Sequence, residues 1–481
     1  MKKTFLTNLL LLLFLNLLVK PFWILGIDRT VQNTVGASEY GFYFSLFSFS
    51  ILFNILLDLG ITNFNNREIS MHPQLLTKYF SNLSLLKLFL GGGYFVVSLV
   101  VGYLIGYGPR HLYMLSFLLF NQLLASLILY LRSNLSGLQY FKTDSVMSVL
   151  DRVLMIILCG FLLTSKSLSI SFRIEWFVYA QSISYATTAV IAFALVYRHV
   201  TFFRPRLDVV FLLSIFKRSY PFALFSLLMV FYYRIDSVML ERMLPNGEQQ
   251  AGIYAQAFRL LDAANMVPLL FAGLLMPIFS SMLSRKEDVI PLMKLSFNLL
   301  ITPVVGLASF VFWYRHETID LLYHSHVNAS ASILGLLMIS FVAISATYIY
   351  GTLLTSNGNL RYLNYISLFG VVVNVLLNFL LIPTLGPVGA AIASLATQLV
   401  AAGLQLYLCY SIFKIRIAIK ESVLQLLYLL VAILVPVVTH LLIPRLLFGF
   451  IISLVVCFAA AIILKRINFA VLFKILKQEE L

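Results

Sequence analysis

The stretch that decides the fold of this chain is Tyr232–Pro277, which reads YYRIDSVMLERMLPNGEQQAGIYAQAFRLLDAANMVPLLFAGLLMP. It is apolar on both sides of a short polar turn, which predicts two membrane-spanning helices joined by that turn. Four charged side chains interrupt the apolar residues: Arg234, Asp236, Arg259 and Asp262. A charge at the centre of a lipid-spanning helix costs roughly 2.5–3.5 kcal/mol. Intramembrane charges of this kind therefore indicate a water-filled pathway or a binding site for an ion or a substrate.

The composition of the whole chain places it among membrane proteins. Of its 481 residues, 61% are hydrophobic and 11% are charged, whereas a soluble domain has about 45–50% apolar and about 25% charged residues. Apolar runs of about 20 residues recur along the chain, each long enough to cross a bilayer as a helix. We therefore expect an all-α polytopic membrane protein with about 14 transmembrane helices. The predicted spans lie near residues 5–26, 38–60, 80–107, 111–132, 146–164, 174–197, 212–240, 252–283, 292–313, 331–354, 361–382, 388–412, 423–443 and 446–465.

The charge distribution sets the predicted orientation. The formal net charge is +15, but the basic residues lie at the ends of apolar segments and form no patch, so we do not expect nucleic acid as a partner. The loops on one side of the predicted membrane carry about three times as many Lys and Arg residues as the loops on the other side. By the positive-inside rule, the basic side and both termini are predicted to be cytoplasmic. The N-terminal apolar run is longer than the core of a signal peptide and is predicted to be a retained membrane helix.

The cysteine and histidine residues predict no metal site. Cys159, Cys409 and Cys457 each lie inside an apolar run, where cysteine acts as a small packing residue and not as part of a disulfide framework. His324 and His326 lie in an external loop in a spacing that could ligate a metal. A pair of histidines in a polar loop is usually only solvated, so we expect no metal there.

The most basic loop divides the chain into two predicted halves. This loop covers residues 198–217, between the sixth and seventh predicted spans. The motif Gly-x-Tyr occurs at the start of the second span, at Gly41, and again at the start of the eighth span, at Gly252. This recurrence indicates an internal repeat. The predicted domains are a six-helix lobe over residues 1–205, a second six-helix lobe over residues 206–415, and a C-terminal helix pair with a cytoplasmic tail over residues 416–481.

Several short motifs resemble those of one family. The pattern Asn-x-x-x-Asn-x-x-Leu-Ile-Pro-x-x-Gly-x-x-Gly-Ala-Ala over residues 374–391 is similar to a signature in the eleventh and twelfth spans of bacterial polysaccharide exporters. Tyr-Gly-x-Tyr at 40–43 and Asp-Leu-Gly at 58–60 are similar to the first-half signature. Arg-x-Asp at 234–236 and Gly-x-Tyr-x-x-Ala-x-Arg at 252–259 are similar to the second-half signature. In their order and spacing, over nearly the whole chain, these motifs resemble the Wzx-type lipid-linked oligosaccharide flippases.

The resemblance implies a fold and a function that composition alone does not. The superfamily also holds the MATE drug exporters and the MurJ lipid II flippase, and it implies a V-shaped pair of pseudo-symmetric six-helix lobes around a central cavity. The implied function is alternating-access movement of an undecaprenyl-pyrophosphate-linked oligosaccharide unit from the inner to the outer leaflet of the bacterial cytoplasmic (inner) membrane. Its product would serve O-antigen, capsule or another surface polysaccharide. The implied partners are the lipid-linked oligosaccharide, membrane lipids, a polysaccharide polymerase and chain-length proteins, and the implied functional unit is a monomer.

Such a substrate needs cations for its pyrophosphate, and the sequence offers four candidate substrate-binding residues. Arginine suits a pyrophosphate because its planar guanidinium donates two parallel hydrogen bonds to phosphate oxygens. The candidates lie within or at the ends of predicted spans, and they are Lys20, Arg152, Arg234 and Arg259. Lys20 precedes Pro21, which is expected to kink or break the first span.

Each of these cations also has a structural interpretation. Arg259 and Asp262 are three residues apart and can pair on one helix face, whereas Arg234 and Asp236 are two apart and cannot neutralise each other within a helix. Lys20 can extend to the membrane surface or line a helix contact. Arg152 lies beside Asp151 and can be part of a hydrated helix start.

Carboxylates and amides in the apolar spans form a second group of candidates. Asp58, Asp236 and Asp262 are predicted to bind a coupling H⁺ or Na⁺, since a buried carboxylate can take up either; no other cofactor is predicted. Asp58 can instead anchor the inner end of the second span, where an α-helix would put Asn54 on the same face. Asn374 and Asn378 also share a helix face, which favours hydrogen bonding between helices.

Two other functions compete with the flippase. A MATE-type drug or metabolite antiporter for cationic drugs calls for a mainly acidic cavity, and the several cations argue against it. A membrane glycosyltransferase or polymerase usually carries its catalytic residues in a large external loop, and the longest candidate loop, around residues 315–330, is short. The sequence contains no nucleophile–base spacing, phosphate-binding glycine loop or nucleotide motif. We therefore predict that the chain is not an enzyme.

Overall fold

The computed structural model describes residues 11, 14–165, 171–202, 209–415, 419–443 and 445–466, and the regular structure in these ranges is helical. A π-helix at Trp23–Asp28 and 3₁₀-helices at Asn54–Leu57 and Pro73–Leu75 accompany the α-helices. The α-helices are α1 (Arg29–Leu52), α2 (Ile61–Met71), α3 (Leu76–Leu104), α4 (Pro109–Gly137), α5 (Phe141–Thr164), α6 (Ile174–Tyr197), α7 (Val209–Met243), α8 (Gly247–Ser284), α9 (Ile290–Trp313), α10 (Arg315–Leu322), α11 (Val327–Ser356), α12 (Leu360–Leu385), α13 (Pro387–Phe413), α14 (Ile419–Leu442) and α15 (Leu446–Ile463).

The prediction of an all-helical polytopic membrane protein is confirmed. Within the described residues, twelve helices are long and apolar enough to cross a membrane. They correspond to the third to fourteenth predicted spans. The first predicted span, 5–26, lies partly outside the described residues, and the second corresponds to α1, which is not among the twelve. The expected number of fourteen is therefore approximate.

The chain divides into two compact units, Met1–Ala255 and Gln256–Leu481. In the first unit α4 is central and packs against α1, α2, α3, α5 and α6. Buried polar side chains between these helices form hydrogen bonds with each other. The Asn65 amide donates to Ser133 Oγ at 2.8 Å and to Asn134 Oδ1 at 3.0 Å. Such bonds hold helices together where lipid offers no hydrophobic driving force.

In the second unit α11 is central and packs against α9, α10 and α13. It corresponds to the tenth predicted span, as α4 corresponds to the fourth, so the central helices occupy the same place in the two predicted repeats. The small residues after Pro387 are closely packed, since Ala390 and Ala391 are fully buried. At Gly389 an added Cβ would lie 2.4 Å from the Leu381 carbonyl oxygen. Only glycine therefore lets α12 and α13 approach this closely.

The helix that corresponds to the first predicted span continues beyond residue 26, and it does not break at Pro21. Residues 14–22 are helical, the helix widens into the π-helix Trp23–Asp28, and α1 follows at once. Proline lacks the N–H of a regular turn, and a wider turn of this kind accommodates such a gap. The break comes at Gly36, whose φ of 82° suits glycine. The polar residues from 27 to 35, expected in a loop, therefore extend the first helix.

The contact at Gly389 makes a prediction about folding. In the variant Gly389→Ala, the new methyl group meets backbone, and α12 and α13 must separate; we expect a loss of about 1–3 kcal/mol, seen as a lower apparent Tm in detergent. Gly403→Ala on the same helix is the matched control, because an added Cβ there meets nothing within 4 Å. Equal melting temperatures for the two variants would contradict this account of the packing.

Candidate functional site

Two of the four predicted substrate-binding cations come together in the first unit. Lys20 lies on the helical residues 14–22 and Arg152 on α5, and they are close enough to interact electrostatically with each other and with Asp151. The same two helix faces are joined one turn away, where the Asn16 amide donates to Ser148 Oγ at 2.9 Å. A contact between residues 132 apart in sequence thus holds two like charges near each other.

Aromatic rings hold the Arg152 side chain. Its guanidinium carbon lies 5.8 Å from the ring centroid of Trp23 and 5.5 Å from that of Tyr185. These distances are typical of cation–π contacts. Its Nε lies 3.6 Å from Asp151 Oδ2, and 27% of the side chain remains exposed. Arg152 is thus oriented by two rings while part of it stays accessible.

A second layer of side chains fixes the position of Trp23. Its ring stacks on Phe177 at 5.7 Å, and the edge of Tyr43 packs on Phe177 at 5.2 Å. The Gln181 amide donates to the Tyr43 hydroxyl at 2.9 Å. The π-helix that begins at Trp23 thus delivers this ring into a packed cluster, and Tyr43 of the repeated Gly-x-Tyr motif belongs to it.

Tyrosines near the repeated motif also bind buried carboxylates. The Tyr254 hydroxyl donates to Asp236 Oδ2 at 3.0 Å, and the Tyr40 hydroxyl donates to Asp28 Oδ2 at 2.7 Å. Both carboxylates are buried. Asp28 was missed in the sequence because it was assigned to a loop. The signal that could have found it is its likeness to Asp236, a carboxylate in the helix just before a Gly-x-Tyr motif.

The two glycines of the repeated motif meet in the first unit. An added Cβ on Gly41 would lie 1.8 Å from the Glu248 carbonyl oxygen, and one on Gly252 would lie 1.8 Å from the Ala37 carbonyl oxygen. The Gln32 amide donates to the Gly252 carbonyl at 2.9 Å. The first turns of α8 therefore lie backbone to backbone against α1. This contact is the physical reason for glycine at both motifs.

Arg234 and Arg259 are placed in different units. Arg234 is half-buried in the first unit, with its guanidinium carbon 5.2 Å from the ring centroid of Tyr233. Arg259 is buried in the second unit, and its Nη1 lies 3.7 Å from Asp262 Oδ2. The ion pair that the three-residue spacing allowed is therefore present. The role of either arginine in substrate binding stays a prediction.

Asp58 has a counter-ion that the sequence analysis missed. The Lys87 ammonium on α3 lies 2.5 Å from Asp58 Oδ1, and it also donates to the Leu57 carbonyl at 3.0 Å and to Ser126 Oγ at 3.0 Å. The Thr62 hydroxyl donates to the same carboxylate oxygen. Only 4% of the Lys87 side chain is exposed. The available signal was a single lysine within the apolar run SLLKLFL.

This ion pair lies where the second predicted span breaks. The helix ends at Leu52, and a 3₁₀-helix and left-handed residues at Leu59 and Gly60 follow before α2 begins. Asn54 and Asp58 consequently do not share an α-helical face, contrary to expectation, because the turns here are tighter than an α-helix. Irregular backbone at membrane depth requires partners for its carbonyls, and the Lys87 bond to the Leu57 carbonyl supplies one.

The remaining polar candidates lie in the second unit. Asn374 and Asn378 on α12 are fully buried, and the Asn378 amide donates to Asn374 Oδ1 at 3.1 Å. Their predicted position on one face is confirmed by this bond along the helix. The same unit holds an apolar cavity of about 630 Å³ between α9, α11, α13 and α14, with Ile301, Val342 and Leu429 among its lining residues.

Comparison with solved structures identifies the fold. The chain is similar to the lipid II flippase MurJ in an inward closed conformation, with a TM-score of 0.70 and 14% identity over 92% of this chain and 97% of that chain. It is similar to an inward-facing multidrug resistance MATE family transporter of the MOP superfamily, with a TM-score of 0.64 and 16% identity over 83% of this chain and 94% of that one. A MOP superfamily transporter from Pyrococcus furiosus Vc1 (DSM3638) gives a TM-score of 0.61 and 14% identity over 85% and 95%.

These likenesses and the helix arrangement define a multi-pass membrane protein with the fold that these solved structures share. At these identities the likeness establishes the fold alone. A search of curated proteins finds no match. The family model described as polysaccharide biosynthesis protein matches residues 5–283, more than half of the chain. The chain belongs to the polysaccharide biosynthesis protein family.

The Lys87–Asp58 pair makes a prediction that separates structural from functional charge. Asp58→Asn leaves the buried Lys87 ammonium without its partner, at a cost of about 3–5 kcal/mol. Lys87→Met should cost less, because the Asp58 side chain is 31% exposed. The double variant should recover most of the loss. Apparent Tm and membrane abundance measure this, and a double variant that is as unstable as the sum of the single variants would contradict the pairing.

Proposed function

We propose that this protein is a flippase that moves an undecaprenyl-pyrophosphate-linked oligosaccharide repeat unit from the inner to the outer leaflet by alternating access, for surface polysaccharide synthesis. Membership of the polysaccharide biosynthesis protein family supports the biosynthetic role. The fold supports a transport mechanism, since it is shared with the lipid II flippase MurJ and with MATE family transporters. The proposed location is the bacterial cytoplasmic membrane, with both termini in the cytoplasm.

The observation that carries the proposal is the pairing of Lys20 with Arg152. Two cations that interact electrostatically inside a membrane helix bundle repel each other and lose hydration, which is costly unless an anion binds there. Asp151 beside them supplies one negative charge, so the group keeps a net charge of +1 from Lys20, Arg152 and Asp151. A pyrophosphate is the anion that best matches a partly exposed guanidinium beside an ammonium.

The two rings around Arg152 suit this role. Cation–π contacts with Trp23 and Tyr185 orient the guanidinium plane. A side chain held in advance loses less conformational entropy when a ligand binds. Arg152 is thus a pre-organised phosphate ligand, with Lys20 as a second positive charge.

The second unit contains an apolar cavity of its own, whose walls are mainly aliphatic and aromatic and also include Thr302, Gln425 and Arg466. We propose a coupling H⁺ or Na⁺ as the remaining ligand. Among the predicted coupling residues Asp58 is the weakest candidate, because the Lys87 ammonium already neutralises it. Asp236 and Asp262 remain candidates.

The oligosaccharide substrate separates the proposal from drug export. An exporter of cationic drugs needs anionic groups at its binding site, and the Lys20–Arg152 pair offers the opposite charge. A polysaccharide polymerase and chain-length proteins are proposed to act on the flipped product, with the flippase itself working as a monomer. O-antigen and capsule units are both compatible with this chemistry.

The leaflet distribution of lipid-linked oligosaccharide tests the proposal. In a deletion strain the repeat unit should accumulate on the cytoplasmic side of the membrane, and expression of the wild-type chain should restore its appearance in the outer leaflet. An unchanged distribution in the deletion strain would contradict a flippase function. Resistance to cationic drugs, measured in the same strains, should be unaffected, whereas a loss of resistance would support the MATE-type alternative.

Substitutions at Arg152 and Lys20 test the site. Arg152→Ala should lower the flipping rate about tenfold or more, because a charge-assisted hydrogen bond contributes about 1.5–3 kcal/mol. Arg152→Lys should retain part of the activity, and Lys20→Ala should also reduce it. The matched control is Arg361→Ala, which removes an exposed arginine on α12. Full activity of both Arg152→Ala and Lys20→Ala at normal abundance would show that the pyrophosphate binds elsewhere.

A further inference from the structure

A histidine lies between two carboxylates where α4, α7 and α8 meet in the first unit. His111 is in the first turn of α4, Glu241 in the last turn of α7 and Glu248 in the first turn of α8. His111 Nε2 is 3.4 Å from Glu241 Oε1 and 3.6 Å from Glu248 Oε1. The charge asymmetry of the loops predicts that this is the outer end of the protein. The sequence analysis assigned no role to these three residues.

The cluster contains buried polar atoms that lack a close hydrogen-bond partner. Among the described residues, these atoms include His111 Nε2, Glu241 Oε2 and the Tyr107 hydroxyl, and Tyr107 is near enough to Glu241 to interact with it electrostatically. The Glu241 side chain is only 4% exposed. Buried polar groups without partners are costly, and ionised ones more so. A protonated imidazole directs an N–H toward the carboxylates and removes this cost.

The charges around His111 also favour a protonated imidazole. Arg242 Nη1 lies 3.4 Å from Glu241 Oε1, and its Nη2 donates to the Ile105 and Gly106 carbonyls. Glu241, Glu248 and Arg242 together carry a charge of −1, which a protonated His111 brings to zero. Further charged groups near His111 form a separate set, in which Arg110 of α4 pairs with Glu39 of α1 at 2.6 Å and with Glu175 of α6 at 3.5 Å.

Aromatic neighbours position the imidazole without competing for the proton. Tyr107 stacks on His111 at 5.2 Å, and Phe42 of α1 packs its edge at 4.9 Å. Burial, together with the nearby Glu241 charge, raises the pKa of Tyr107 well above its ordinary value. Tyr107 therefore stays protonated over the physiological range.

A close contact between helix backbones lies in the same corner. Gly252, one turn after Glu248, lies against the Ala37 backbone, and Gln32 bonds to its carbonyl. The turn between α7 and α8 is thus held against α1 by backbone contact, against α4 by His111, and against the turn between α3 and α4 by Arg242. An alternating-access transporter must release contacts at this end when it opens outward.

We propose that His111, Glu241 and Glu248 form a proton-binding site whose occupancy holds the α7–α8 turn closed against α1 and α4. The inference rests on the proposed function, since alternating access is what requires this end to open. Binding linkage sets the direction: if the closed arrangement binds the proton more tightly, the proton favours the closed arrangement by the same factor. Acid therefore stabilises closure. A rise in pH removes the proton, leaves two carboxylates facing each other, and favours opening.

Distance measurements by pulsed electron paramagnetic resonance test this proposal without substrate. Spin labels are attached at Arg173→Cys and Asn246→Cys, two exposed positions at the start of α6 and in the α7–α8 turn. The native Cys159, Cys409 and Cys457 are replaced by alanine in the full-length protein, which is reconstituted in lipid nanodiscs. Between pH 5.5 and pH 8, the ratio of long to short distances should rise about fivefold or more.

Variants identify the group that responds to pH. His111→Gln should remove the pH dependence of the distances. Glu241→Gln should remove it as well, and this variant provides the test if His111→Gln does not reach the membrane. The matched control is His440→Gln, because His440 is paired with one carboxylate, Glu317, at 2.9 Å in the second unit. This control should keep the full pH response. A full response in His111→Gln or Glu241→Gln, or none in the unsubstituted background, would overturn the proton site.

The two proposals fail in distinguishable ways. If the leaflet assay shows no flipping while the distances still respond to pH through His111, the flippase function is wrong and the proton site stands. If flipping is observed and the distances do not respond to pH, the proton site is wrong and the flippase function stands.

Discussion

Every polar group that this chain carries into the membrane must find its partner within the protein, because hydrocarbon offers none. Many local features follow from this constraint. In the break after Leu52, the Leu57 carbonyl accepts hydrogen bonds from the Lys87 ammonium and the Ser126 hydroxyl. Asp28 and Asp236 are buried because tyrosine hydroxyls donate to them. Asn65 is buried because it bonds to Ser133 and Asn134 on α4. Irregular backbone and buried charge occur together because the buried charged group forms hydrogen bonds with the exposed backbone groups.

The glycines of the internal repeat also help backbone and side-chain polar groups to find partners within the protein. Gly41 and Gly252 are not merely equivalent by sequence; each removes the Cβ that would keep α1 and α8 apart. Close approach then allows Gln32 to reach a backbone carbonyl across the contact. A tight contact made of backbone and few side chains forms and separates with little repacking. That property suits an end of a transporter that must open and close, and His111 lies beside it.

Much of the fold was predictable from the sequence, because lipid imposes one rule on every span: about 20 apolar residues between polar ends. The turn between α7 and α8 and the C-terminal pair α14 and α15 followed from this rule. The extended first helix did not, because a polar helix beyond Gly26 has no apolar signature. Nor did the position of the break directly after Leu52, since the glycine in this segment, Gly60, lies eight residues later and the partner of Asp58, Lys87, is 29 residues away from it.

The candidate site was predictable in kind but not in pairing. Residue type and burial identified Lys20 and Arg152 as candidates, whereas their proximity depends on how the first helix packs on α5. His111 and Glu241 gave no signal, since each lies at a helix end where a polar residue is ordinary. A one-dimensional pattern reports that a charge is costly at a given place. Only the packed structure shows which charge from a distant part of the sequence lies nearby, and whether that charge lowers or raises the free-energy cost of burial.

Two buried or half-buried cations in the first unit, Lys87 and Arg152, show that the neighbours of a charge indicate its role better than its residue type does. Lys87 is nearly inaccessible and has a carboxylate, a carbonyl and a hydroxyl around its ammonium. Its charge is fully used in holding the break between α1 and α2. Arg152 is more exposed, lies between aromatic rings and has a second cation beside it. A buried charge that is compensated stabilises a structure, and an accessible one beside a like charge favours binding an anion. This contrast supports the proposal that a pyrophosphate binds at Lys20 and Arg152, and not at the lysine buried deeper in the same unit.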